Sequence, residues 1–296
     1  MTQTTTWTTP NTYQQALDDF RKSYPLQPVP IQNMDWTVYD TGGTSAPLLI
    51  LHGGGGQAEA LFPQIMLLAQ QFRVIAPNIP SQIKTIDQAI DGLSTLLNAL
   101  DMNKVHLYGI SLGGHIAQIF IRRHYARVQD MVLSHTAIPC EHLAQKTAMQ
   151  YRMLQMYPSK LLSVMFKRAT RNNIANFPAN LSNHETQFWQ QYFDEQYETV
   201  ITKSTIVSRA AMMSDYFRQF TFHASDLNYW DGRTLIIESS HDEVYEEGDR
   251  GALLTMYSRA WMHTFEGYTH LATILAHQQS AELVADFLRG DAYDHI

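Results

Sequence analysis

Residues Gly109 to Gly114 read G-I-S-L-G-G, which sets Ser111 directly after the apolar run V-H-L-Y and before a helical pattern marked by Ile116. On a sharp strand-to-helix turn a serine hydroxyl stands exposed, and Gly109 and Gly113 remove the Cβ atoms that would collide there. The helix N-terminus beneath such a serine favours developing negative charge. This combination suits nucleophilic attack by Ser111, although the bare pattern also describes a tight turn with a capping serine. A second glycine-rich stretch, L-H-G-G-G-G from Leu51, follows another apolar run. Its backbone can approach a ligand closely, or it can be a flexible connection. The Lys-Ser or Lys-Thr pair of a phosphate-binding loop is absent after these glycines. The single cysteine, Cys140, excludes an internal disulfide and any Cys-rich zinc or iron–sulfur site. It lies beyond a strand pattern without an elbow and reads as a packed thiol. No metal motif is present, and neither a metal nor a cofactor is expected.

These residues need a scaffold, and the apolar pattern supplies one. Pro47–Leu51, 73–79, 105–109, 131–134 and 234–238 are short apolar runs of the kind that form buried strands. Helical patterns separate them. Ile86, Ile90, Leu93, Leu97 and Leu100 recur at spacings of four and three, with a capping box from Thr85 and Gln88. Ile116, Ile119 and Phe120 mark a second helix, and Leu283, Val284, Phe287 and Leu288 a last one that stops at Gly290. Strand–helix alternation of this sort predicts an α/β protein with a mostly parallel central sheet flanked by helices. All fifteen glycines fall before residue 115 or after residue 231, so the stretch between them should be mostly helical. Residues 140–228 hold nine Lys and Arg against seven Asp and Glu, and six of the thirteen methionines.

The serine elbow in its strand–helix setting resembles that of the α/β-hydrolase family. The resemblance implies an α/β-hydrolase fold and a Ser, acid, His order along the chain. In T-L-I-I-E-S-S-H-D-E the acid falls on Asp242, with Glu243 as its alternative. In W-M-H-T-F-E-G-Y-T-H the histidine falls on His270, since alternation would put His263 inside a strand. His270 would then be the base and Asp242 the group that fixes its tautomer. A tetrahedral oxyanion requires fixed donors, each worth about 3 to 4 kcal/mol of barrier. The resemblance assigns them to the backbone N–H groups of Leu112 and Gly54, with His52, Gly53 and Gly55 around the substrate, His52 itself reading as structural. After Pro77 the aspartate- and glycine-rich loop common in the family is replaced by N-I-P-S-Q. In the family a helical cap often follows the sixth strand, which implies the division 1–30 tail and helix, 31–139 and 229–296 core, and 140–228 helical cap. Met153, Met156, Trp189 and Met213 are expected to line an acyl pocket, or to be the cap's own core.

F-R-K-S-Y-P-L from Phe20, W-T-V-Y-D-T-G from Trp36, R-V-I-A-P-N-I-P from Arg73 and K-V-H-L-Y-G-I-S-L-G-G from Lys104 are similar to the maspardin branch of the family. That likeness covers mainly the first 120 residues and implies an alternative, a non-catalytic interaction protein. The triad order and the glycine loop favour a serine hydrolase acting on a small-molecule carboxylic ester. Cleavage of a C–C bond, an amide or a thioester stays open on the same residues.

The chain has 296 residues, 45% hydrophobic and 17% charged, which excludes a disordered protein. No run approaches the roughly 18 apolar residues of a membrane span. A net charge of −7 argues against general nucleic-acid binding and does not favour an anionic membrane. The first ten residues lack the basic start and apolar stretch of a signal peptide and read as a frayed polar tail, so a cytoplasmic protein is expected. A homodimer is left open.

Overall fold

The computed structural model describes residues 10–31, 33–177 and 181–290, so most of the expected polar tail lies outside the described residues. The chain opens with helix α1 (Pro10–Ser23), then β1 (Gln27–Ile31), β2 (Met34–Asp40) and β3 (Pro47–Leu51). Next come α2 (Phe62–Leu68), β4 (Arg73–Asn78), α3 (Ile86–Ala99), β5 (Val105–Ile110), α4 (Leu112–His124) and β6 (Val128–Ser134). Among the described residues four helices follow without a strand: α5 (Glu141–Met156), α6 (Ser159–Ala175), α7 (Asn183–Thr199) and α8 (Lys203–Gln219). The chain then returns through β7 (Thr234–Ser239), α9 (Glu247–Met256), β8 (Trp261–Phe265), α10 (Ala272–Leu275) and α11 (His277–Arg289).

The eight strands form one sheet in the order β1-β2-β4-β3-β5-β6-β7-β8. β1 with β2 and β2 with β4 are antiparallel, and every other pair is parallel. Successive side chains of a strand face opposite sides, so a strand buried on both faces reads as a continuous apolar run. β3 shows this: Leu48 and Ile50 join the core under α1, α2 and α11, while Leu49 and Leu51 join the core under α3, α4 and α9. β1 and β2 escaped the sequence reading for the opposite reason. β1 is Q-P-V-P-I, an edge strand with two prolines and one buried residue, and β2 is only half buried.

Thr85 caps α3 by accepting from Gln88 N at 3.3 Å. The expected capping box is only half made, because Gln88 Oε1 accepts from Lys84 N instead of the Thr85 N–H. Helix α11 ends at Gly290, whose φ of +79° is the left-handed cap the sequence calls for. Among its described residues the glycine-free stretch is mostly helical as expected, interrupted by β6, with α8 packed on α5 and α7 on α6 and α1. Helix α1 is tied down through Arg21, which donates to both carboxylate oxygens of the buried Glu59 at 2.8 Å.

Candidate active site

Parallel strands deliver their C-terminal ends to one edge of the sheet, and the loops after β3, β5, β7 and β8 meet there. Ser111 joins β5 to α4 with φ +51° and ψ −115°, a backbone that a non-glycine residue adopts only where the surroundings hold it. Backbone and side-chain bonds hold it, among them His115 N to Ser111 O at 3.2 Å. Ser111 N donates to Ser134 O at 2.8 Å, while Ser111 O accepts from Gly114 N at 2.8 Å and from Thr136 Oγ1 at 3.1 Å. The helix approaches the sheet closely enough that a Cβ on Gly113 would lie 2.1 Å from Leu51 O, and one on Gly109 2.5 Å from Gly113 O. The reason given for these glycines from sequence is thus met in space.

Ser111 Oγ lies 3.1 Å from His270 Nε2, and His270 Nδ1 lies 2.8 Å from Asp242 Oδ2. Asp242 Oδ1 also accepts from the backbone N–H groups of Val244 and Tyr245, at 2.8 and 3.0 Å. Burial opposes ionisation of Asp242. The bond and charge of His270, the charge of His135 and the Tyr245 N–H outweigh it and hold the carboxyl at about 2. Glu243 faces elsewhere: its carboxylate accepts from His270 N at 3.0 Å and from Asn173 Nδ2 at 3.1 Å, joining the histidine loop to α6. His263 sits within β8, away from the loop that carries His270.

Two hollows that share Ser111 and His270 in their lining adjoin the serine. The larger, about 480 Å³, is lined by Gly54, Gly55, Met153, Met213, Arg209 and other mostly apolar residues of α5, α6 and α8. The smaller, about 130 Å³, is lined by His52, Gly53, Gly54, Gly55 and Phe193 among others. A Cβ on Gly54 would lie 3.9 Å from both Leu112 Cδ2 and Met213 Sδ, so Gly54 and Leu112 are neighbours beside the serine. Leu112 is the first residue of α4, where backbone N–H groups have no partner within the helix. His52 Nδ1 donates to Gly53 O at 2.8 Å, and burial with the nearby Arg209 charge lowers its pKa to about 3, so it is neutral.

Two of the four candidate lining residues stand outside both hollows, and for Trp189 the core alternative is the one that holds. Met156 is 76% exposed at the end of α5, outside both hollows, because it lies on the opposite side of the helix from Leu143 and Thr147, which are buried. Trp189 is fully buried, packed on Phe62 and Tyr13 with ring centroids 5.9 and 6.3 Å away, and belongs to the core between α7, α1 and α2.

Sequence reading passed over four groups. Arg209, 3% exposed, donates from Nη1 to Gly54 O at 3.0 Å. Its Nη2 is buried without a hydrogen-bond partner, and burial lowers its pKa to about 10. The signal was a lone arginine in the apolar stretch T-I-V-S-R-A-A-M-M. His135, with φ +49°, is buried between Ser134 Oγ and Ser239 Oγ, each 2.7 Å away, beneath the His270 ring. Tyr245 OH lies 3.0 Å from His115 Nε2, and His115 stacks on Tyr216 at 4.2 Å. Nothing in the local sequence of these last three marks them. Elsewhere, Cys140, His142 and Asp249 bring potential metal-ligand atoms within 4.8 Å of one another, the one such group among the described residues. They line a separate small hollow, where His142 pairs with Asp249 at 2.9 Å.

Residues 46–245 match the family described as alpha/beta hydrolase fold. The chain belongs to the α/β-hydrolase family. Maspardin from Danio rerio is 36% identical over 122 residues, which is 38% of this chain and 39% of maspardin. The chain thus spans 39 to 46% of the length of the maspardins it matches. The 2-hydroxy-6-oxononadienedioate/2-hydroxy-6-oxononatrienedioate hydrolase 1 of Pseudomonas putida is 24% identical over 266 residues, 84% of this chain and 90% of that enzyme. Among solved structures, an enol-lactonase from Burkholderia xenovorans superposes with a TM-score of 0.73 at 17% identity, covering 89% of this chain and all of the other. A meta-cleavage product hydrolase superposes at 0.71 with 21% identity, covering 89% and 98%. Within this hydrolase fold no described helix is long and apolar enough to cross a membrane.

Proposed function

We propose that the protein is a serine hydrolase that cleaves a small-molecule carboxylic ester through an acyl-enzyme. The observation that carries this reading is the unbroken hydrogen-bond chain from Ser111 through His270 to Asp242, set at the side of a mostly apolar 480 Å³ hollow. Asp242 fixes the Nδ1–H tautomer, which leaves the Nε2 lone pair facing the serine hydroxyl. Ser111 Oγ bonds to the ester carbonyl carbon while His270 takes its proton. The negative oxygen of the tetrahedral adduct is stabilised by the N–H groups of Leu112 and Gly54. The alcohol leaves with the proton from His270. Water, deprotonated by His270, then attacks the acyl carbon, and Ser111 departs with that proton as the carboxylic acid is released. Helices α5 to α8 act as the cap, with Met153 and Met213 on the acyl chain and Arg209 holding the glycine loop through Gly54 O.

One observation favours a second reading, hydrolysis of a C–C bond in an oxo-acid. The unpartnered Arg209 Nη2 suits a carboxylate on the substrate, and the Pseudomonas putida relative is named for an oxo-dioate.

Release of p-nitrophenol from esters of increasing acyl length, measured for the wild-type chain and Ser111→Ala, tests the proposal. The expected result is turnover that falls about 10⁴-fold or more in the variant, with folding unchanged. Cleavage of an oxo-acid with no ester turnover would move the reaction to the C–C bond. If neither substrate turns over and a fluorophosphonate leaves Ser111 unlabelled, the hydrolase reading fails in favour of an interaction protein.

A further inference from the structure

Six of the large apolar side chains that stand exposed among the described residues fall between positions 149 and 165: Met149, Met153, Met156, Leu161, Val164 and Met165. Met149, Met153 and Met156 recur at spacings of four and three along α5, and Leu161, Val164 and Met165 share a side of α6. Met153 and Met165 also line the large hollow, so the two apolar stripes flank it. Their exposure is substantial, 76% for Met156, 62% for Val164 and 60% for Met149. Exposed apolar stripes on both sides of a hollow are the kind of surface that meets a partner.

Charge says what it meets. From His142 to His184 the chain has no Asp or Glu and six cations, Lys146, Arg152, Lys160, Lys167, Arg168 and Arg171, whereas the rest has 15 Lys and Arg against 28 Asp and Glu. Lys167 and Arg171 pair with Glu198 and Asp194 of α7. The remaining four cations are in surplus, and Arg152, Lys160 and Arg168 are exposed beside the apolar stripes. A second copy docked through the same patch would set this surplus against itself, which costs affinity. An anionic, apolar-backed surface satisfies both features at once. The net charge of −7 speaks against such a partner only while it is taken as evenly spread.

We propose that the α5–α6 face docks on an anionic lipid surface. The methionines, Leu161 and Val164 enter the headgroup layer, the cations meet lipid phosphates and carboxylates, and the mouth of the hollow opens toward the bilayer. The acidic remainder of the chain turns away, which orients the docked molecule. The association is peripheral, since no described helix can span a bilayer.

Sedimentation of the full chain with vesicles tests this without any turnover assay, so its outcome is independent of the Ser111 reading. Binding to phosphatidylcholine vesicles containing about 30% phosphatidylserine should exceed binding to phosphatidylcholine alone by about tenfold and fall with added salt. A Met156→Asp, Val164→Asp double variant and an Arg152→Glu, Lys160→Glu, Arg168→Glu triple variant should each lower the partition by about tenfold. Both should keep the wild-type circular dichroism and thermal midpoint, because these side chains are exposed. Equal binding to both vesicle types, or undiminished binding by both variants, overturns the proposal. So does a concentration-dependent doubling of mass that Met156→Asp abolishes in a chain that ignores vesicles, which would give the face to a second copy.

Discussion

Asp242 and Glu243 are adjacent carboxylates with different duties, and the division rests on where each oxygen points. Asp242 presents Oδ2 to His270 Nδ1 and spends Oδ1 on two backbone N–H groups, so its orientation is fixed from both sides. Glu243 reaches the backbone N–H of His270 and the side chain of Asn173, which positions the loop without touching the ring nitrogens. Under the proposed mechanism, Asp242→Asn should cut kcat by about 10⁴-fold through the wrong imidazole tautomer. Glu243→Gln should retain activity within about tenfold, since an amide still accepts from the His270 N–H. Steady-state kinetics of the two variants on one ester decide the matter, and a harmless Asp242→Asn would remove Asp242 from the proposed triad.

At the scale of the element, the β5–α4 elbow stores strain that the close helix–sheet contact sustains. A Cβ on Gly113 meets the Leu51 carbonyl, part of the central strand β3, and neither backbone can yield cheaply. Gly113→Ala should therefore cost about 3 kcal/mol. Gly55→Ala, whose added Cβ would meet nothing within 4 Å, should stay within about 0.5 kcal/mol of wild type. Urea midpoints for the two variants compare these directly; equal midpoints would mean that the elbow is looser than its geometry. The elements around the elbow were legible because they are buried on both faces. β3, β5 and β7 read as continuous apolar runs, whereas the proline-bearing edge strand β1 and half-exposed β2 carry little of that signal.

The whole molecule encloses histidines that cannot easily take a proton. Burial lowers the pKa of His52, His115 and His135 to about 3, against 6.5 for the ordinary side chain. Between those values the unfolded chain binds more protons than the folded one, so stability rises with pH and is complete above about 6.5. Each histidine contributes a slope of up to about 1.4 kcal/mol per pH unit in that window. Asp242 adds to the acid lability at lower pH: its stabilising bonds are present above 3.8 and lost as pH falls toward 2. The urea midpoint should fall steadily from pH 7 to pH 5, and His115→Asn should flatten that dependence. A midpoint unchanged across this range would mean that water or local opening reaches these rings.

Local sequence determined what depends on local chemistry: the strained serine between glycines, the buried strands with their two apolar faces, the Gly290 cap and the helical character of 140–228. The chain order Ser111, Asp242, His270 was legible through family likeness, and the fold brings the three within hydrogen-bond reach across up to 159 residues of separation. Only tertiary structure decided which methionine of α5 faces the hollow, since Met153 and Met156 have the same chemistry and differ by less than one helical turn. It also decided that Trp189 fills a core, that Arg209 reaches Gly54 from 155 residues away, that His135 bridges Ser134 and Ser239, and that Tyr245 reaches His115. A side chain's partners across the fold are set by how helices and sheet pack, and no pattern within a window of sequence records that packing.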